Sequence, residues 1–357
     1  MYLKTIFSLT FSLTLLVAGV NFFVNPIGIY NPPMIKGLND AQPAASAYLR
    51  LEKIEAVKRL KPDAIITGSS RADIGLDPRP EFFPGMTPYN FGLPASTINE
   101  QRMTLEFAQT VHPLKEAIIT LDLLSFNAHM LENKQFDTKR LSPEALSPAR
   151  SFFDSYGTIV ALDTFVASIK HLRYIKHLDR YSYCEPNGHK VVNDVLRDIA
   201  MNGAASMFGD PAAALKGPQE DFSFSYSDKP DDTSYKQLEA MLDFARQHKI
   251  KVIMLISPLH KRGTEDQTAM DREWKSRLAE IVRENAARYG EKPYPLWDFN
   301  YRNSLTVEPI PPAGDKKTRL KWFLNSGHYT TEAGDIIFAK ILDLPEAAKY
   351  PDFGRRL

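Results

Sequence analysis

The first apolar run is the longest. Residues 5–24 read TIFSLTFSLTLLVAGVNFFV without a single charge, about the 20 residues that a helix needs to cross the hydrocarbon of a bilayer. Lys4 precedes the run. A positive charge there keeps the short N-terminus in the cytoplasm and sends the rest of the chain across. A cleaved signal peptide and a buried helix compete with this reading. The absence of an A-x-A cleavage pattern, and the continuation of the run through Phe22, Phe23 and Val24, favour an anchor. Residues 25–42 are rich in Pro, Gly and Asn and read as a linker.

Beyond the linker the pattern changes period. Helical spacing over 43–60 is followed by short runs of apolar and β-branched residues: DAIIT (63–67), TPYNF (87–91), AIITLD (117–122), KVIMLIS (251–257) and YPLWDF (294–299). Helical patterns over 97–111, 233–248, 268–289 and 331–342 separate or follow them. Alternating strands and helices predict a parallel sheet covered on both faces, and strands buried on both faces are expected to be apolar nearly throughout. From 123 to 250 the chain is far longer than a crossover needs. It holds weakly helical stretches at 158–178 and 190–206 and a polar segment at 218–232. This predicts an insertion at about 128–232, lying over the carboxyl edge of the sheet, where ligands bind in such folds. The expected organisation is an anchor or signal segment (1–24), a linker (25–42) and one α/β domain (43–357) carrying the insertion.

Length and composition narrow the chemistry. A chain of 357 residues with 43% apolar and 24% charged positions is an ordinary globular protein. With 44 basic against 43 acidic residues, there is no basic excess to argue for nucleic acid. Cys184 is the only cysteine, which excludes an intrachain disulfide and a cysteine-based metal cluster. Neither GxGxxG nor the lysine of a P-loop is present. No metal or cofactor is expected.

Three segments carry reactive residues. In DAIITGSSRADIGLDP (63–78) a strand runs into Gly68-Ser69-Ser70-Arg71. A serine there is a nucleophile if a base reaches it, or merely the cap of the next turn, a role open to either Ser69 or Ser70. In YNFGLPASTINEQ (89–101) small residues link a strand to a helix, and backbone N–H groups at such a junction can face a developing oxyanion. Ser96 is the expected cap there. In FLNSGHYTTEAG (323–334) His328 lies in a loop ahead of the last helix, which Thr330 or Thr331 is expected to cap.

In this order the segments resemble the SGNH hydrolase superfamily, the GDSL-type esterases. Gly68-Ser69-Ser70 is similar to the Gly-Asp-Ser block, with Ser70 on the nucleophile. Asn90-x-Gly92-x-x-Ala95 is similar to the second block, and Asn325-x-x-His328 to Asp-x-x-His. The resemblance implies a Ser70 nucleophile, a His328 base and an oxyanion hole from the amides of Ser70, Ala95 and Gly92. The third block, Gly-x-Asn-Asp, is poorly matched around Asp122. Asn325 stands where the triad has its carboxylate, which leaves a Ser–His dyad, a substitute such as Asp298, or an inactive site. His260, at the end of the fourth strand, and Arg71, suited to an anionic group, complete the candidates.

The expected fold is a three-layer α/β/α sandwich with a flavodoxin-like five-stranded parallel sheet in the order 2-1-3-4-5. Together with the anchor, the resemblance implies an extracytoplasmic, membrane-tethered esterase or O-acyltransferase. Its substrate would be an acyl ester of a cell-surface glycan, acetyl foremost, and its partner a multispanning membrane acyltransferase. The rival expectation is a catalytically decayed SGNH-like module that binds glycan or scaffolds such a complex.

Overall fold

The computed structural model describes residues 2–41, 48–127, 136–142, 146–147, 157–208, 232–261 and 269–357. Most of the polar segment at 218–232 therefore lies outside the described residues. Strands β1 (Ala64–Thr67), β2 (Pro88–Asn90), β3 (Glu116–Leu121), β6 (Lys251–Ile256) and β7 (Leu296–Asp298) pair in parallel. Strands β4 (Tyr183–Cys184) and β5 (Lys190–Val191) form a separate antiparallel hairpin.

The expectation of a five-stranded sheet in the order 2-1-3-4-5 is corrected. The sheet has six strands, ordered β2-β1-β3-β6-β7-β8. Its last strand, β8 (Arg355–Arg356), runs antiparallel to β7. Two arginines offer no apolar run, so hydropathy carries no trace of this edge. Backbone pairing with β7 holds it, and charge adds to that: the Arg355 guanidinium lies 2.9 Å from Asp298, which is buried at the end of β7.

Side-chain alternation divides the core. Ile65, Ala117, Ile119, Val252 and Met254 face one way, and helices α2 (Leu49–Leu60), α4 (Ile98–Val111), α7 (Asp232–Gln247) and α8 (Ala269–Tyr289) pack against them. Ile66, Ile118, Ile253 and Leu255 face the other way, against α3 (Ser70–Gly75) and α9 (Thr331–Ile341).

Helix α1 (Tyr2–Val24) is long and apolar enough to cross a membrane, and most of its large side chains are exposed. Its C-terminal end is not loose. Asn21, fully buried, donates to the carbonyl of Ile159 at 2.8 Å and accepts from Ser168 at 2.9 Å on α5 (Leu162–Tyr174). The start of the segment read as a linker makes specific contacts. Asn25 exchanges hydrogen bonds with the backbone of Tyr30, whose hydroxyl lies 3.0 Å from Thr158. The described part of the insertion adds α6 (Asn193–Asn202) after the hairpin.

Candidate functional site

The first segment needs glycine at its turn. A Cβ on Gly68 would lie 1.7 Å from Thr120 Oγ1 on β3. The chain therefore leaves β1 close against β3 and enters α3 at once. Ser69 is the cap: its hydroxyl accepts from the Arg71 amide at 3.2 Å. Ser70 is the first helical residue, and its Oγ lies 2.9 Å from His328 Nε2. The cap and the candidate nucleophile are thus adjacent serines.

His328 sits on a tight loop between Phe323 and Tyr329, which bridge to each other. Asn325 organises this loop. Its Oδ1 accepts from the amides of Gly327 (2.9 Å) and His328 (2.8 Å) and lies 3.1 Å from His328 Nδ1. Two backbone donors can face only an oxygen, so they fix the orientation of the Asn325 amide. Nδ1 must then donate, Nε2 carries the lone pair, and the Ser70 hydroxyl donates to it. This is the tautomer that a general base requires. Burial pushes the His328 imidazole down to about 4, helped by the positive charge of Arg71 and opposed by Asp122.

Arg71 and Asp122 form the floor beside the serine. Asp122, buried where β3 ends, accepts from the Ser69 hydroxyl and from Arg71 at 2.5 Å. The Arg71 Nε donates to the Gly327 carbonyl at 2.8 Å, so one guanidinium ties α3 to the histidine loop. Asp122 is an acceptor on both counts and stands in no position of an amide donor.

Asn90 does different work from Gly92 and Ala95. Its Nδ2 donates to the carbonyls of Ala72 (2.8 Å) and Leu76 (2.7 Å), clamping α3 onto the end of β2. Its Oδ1 accepts the Gly92 amide at 2.7 Å, so Gly92 has spent the N–H that the resemblance assigns to an oxyanion. Beneath them Lys53, fully buried, pairs with Asp73 at 2.6 Å and donates to the carbonyls of Asn90 and Gly92. Sequence reasoning missed this pair, because a lysine in an amphipathic helix reads as solvated. Ala95 is exposed and has φ +52°, a left-handed backbone that costs a non-glycine residue about 1–2 kcal/mol. Its turn is tied to Gly68, whose carbonyl accepts from the Leu93 amide (2.8 Å) and the Ser96 hydroxyl (2.9 Å). The cap of α4 is therefore Thr97, one residue later than expected, while Thr330 caps α9.

Two candidates lie apart from the Ser70–His328 pair. Asp298 is bound to Lys275 at 2.9 Å and to Arg355, so the substitute carboxylate is engaged elsewhere; Asn325 is what stands behind the imidazole. The His260 ring packs edge-on against Phe208 and Phe323, and its Nε2 lies 2.8 Å from the Glu308 carbonyl. Its backbone amide donates to Ser326 at 3.2 Å, so it supports the loop of His328 from behind.

A cavity of about 480 Å³ is lined by Ile74, Val192, Leu196, Leu324 and Thr331, with Lys190 among its polar groups, and a smaller one of about 260 Å³ is lined by Arg71 and Asp122. The larger volume suits a small ligand. Compared with known proteins, the chain matches no family model and no curated protein.

Proposed function

We propose that the protein is a membrane-anchored serine esterase or O-acyltransferase of SGNH type, acting outside the cytoplasm on an acyl ester of a cell-surface glycan. The observation that carries this reading is the Ser70–His328–Asn325 chain of contacts, 2.9 and 3.1 Å long, in the one tautomer that makes Nε2 a base. In the proposed reaction the Ser70 Oγ attacks the acyl carbon as its proton passes to Nε2. The amides of Ser70 and Ala95 face the oxyanion. As the ester C–O bond breaks, Nε2 returns its proton to the departing alcohol oxygen and the acyl group stays on Ser70. Water or a sugar hydroxyl, deprotonated by Nε2, then attacks the acyl carbon and releases the serine, with a multispanning acyltransferase as the upstream donor. Arg71 holds the loop through Nε and Nη1, which bind the Gly327 carbonyl and Asp122. The second reading, a decayed module that binds glycan or scaffolds a complex, draws on Asn325 in place of a carboxylate.

A fluorophosphonate probe separates the two. The enzyme reading expects labelling that Ser70→Ala and His328→Ala abolish, because an unassisted hydroxyl is a weak nucleophile. Ser69→Ala should keep much of the labelling, since its hydroxyl faces Asp122. A folded wild-type protein that takes no label would establish the module instead.

A further inference from the structure

Where the turn of the β4–β5 hairpin meets β2 and the end of α3, residues that the proposed chemistry does not use come together. One ligand-type atom each from Asp77, Glu185 and His189 lies within 4.8 Å of the others. His189 is only 5% exposed. Its Nε2 lies 2.9 Å from the Ile74 carbonyl, which can only accept, so this nitrogen carries a proton. In the neutral ring, Nδ1 then presents a lone pair, and what faces it at 3.1 Å is Glu185 Oε2, also an acceptor. The contact needs a positive centre between the two atoms, either a proton, which makes an imidazolium–Glu185 pair, or a metal ion. A second carboxylate, Asp77, closes the group and is oriented by the Asn187 amide at 2.8 Å, while Arg79 lies farther off at 3.8 Å.

We propose that Asp77, Glu185 and His189 form a site for a divalent transition-metal ion of the zinc type, which pins the hairpin to the end of α3. The donor set is one imidazole nitrogen and two carboxylates, which zinc accepts readily, with water completing the shell. Zinc holds such ligands at about 2.0–2.1 Å, so neighbouring donors sit a little over 3 Å apart. His189 and Glu185 already have that spacing. The imidazole N–H on the backbone carbonyl of Ile74 is the outer-shell contact that typically fixes a metal-bound histidine. The hairpin also carries Lys190, whose charge bears on His328, so the ion would hold that lysine in place. This inference does not depend on acyl chemistry at Ser70.

The test uses the full-length chain in detergent, stripped with a chelator and titrated with zinc sulfate, with uptake read by elemental mass spectrometry and calorimetry. Uptake of about one equivalent is expected, with cobalt giving the visible bands of a nitrogen–oxygen site. Asp77→Asn and Glu185→Gln keep the shape of their side chains, and each should weaken binding by roughly tenfold or more. Zinc should also raise the melting temperature of the wild type and not that of these variants. Ser70→Ala should bind like the wild type. Failure of the wild type to take up zinc at about 100 µM would overturn the proposal, with an imidazolium–Glu185 ion pair as the replacement. Uptake that survives both carboxamide variants would overturn it equally.

Discussion

Asn325 decides which nitrogen of His328 holds the proton, but it cannot stabilise the charge that His328 gains. An aspartate in its place could accept the same two backbone amides and would add a negative charge 3.1 Å from Nδ1. Two results are expected of Asn325→Asp. The base is active when neutral, and burial holds it at about 4 in the wild type. Activity of the wild type should therefore persist as pH falls through 6 and 5 and fail only near 4, and in the variant that acid limb should move upward. The turnover rate should rise by roughly tenfold, because a carboxylate there stabilises the imidazolium that forms. A pH–rate profile on an activated acetyl ester measures both, and an unmoved acid limb would remove Asn325 from the proton path. The same imidazole links pH to stability. Its folded value lies below the ordinary 6.5, so the unfolded chain binds the proton more readily, and stability is lost as pH falls from 6.5 towards 4. Ser70, His328 and Asn325 could be found from sequence because each sits in a short block at the end of an element. The Lys53–Asp73 pair and the spent amide of Gly92 could not, because they depend on how α2 and β2 meet in space.

The elements that present the two reactive residues, α3 and α9, touch through glycine. A Cβ on Gly334 would lie 1.8 Å from the Gly75 carbonyl, and one on Gly75 would lie 2.0 Å from the Tyr329 ring. Gly334→Ala should therefore push α9 away from α3. Overpacking of this kind costs about 1–3 kcal/mol. Denaturant titration should show that loss, and probe labelling of Ser70 should slow along with it, because His328 precedes α9 by so few residues. A variant as stable as the wild type would mean that the helices can slide apart at no cost. Periodicity located α4, α7, α8 and α9 to within a residue or two, since each buries one regular stripe against the sheet. It was silent on α3, whose six residues are shorter than two helical turns. It was equally silent on β4, β5 and β8, two-residue strands defined by their partners and not by any pattern of their own.

At the scale of the whole chain, the anchor reading of α1 makes its own prediction. A reporter fused after Leu357 should be active only outside the cytoplasm, because the charge bias retains the short N-terminal side. The intact protein should stay in the membrane fraction through a high-salt wash; a shortened soluble product would identify α1 as a cleaved signal. The membrane end of α1 is not joined to the body by a free cord. Asn21 is locked between the Ile159 carbonyl and Ser168, and Tyr30 is fastened to Thr158. A flexible tether would let a domain sweep a hemisphere whose radius grows with its length. If α1 spans a membrane, a bracket of this kind gives the domain a single standing height and a single heading over the lipid. On the anchor reading, a substrate has to be brought to the opening, as thread is fed to a fixed needle, and lengthening the chain between Tyr30 and Ala41 would change nothing in its reach until the Asn21 bracket was cut.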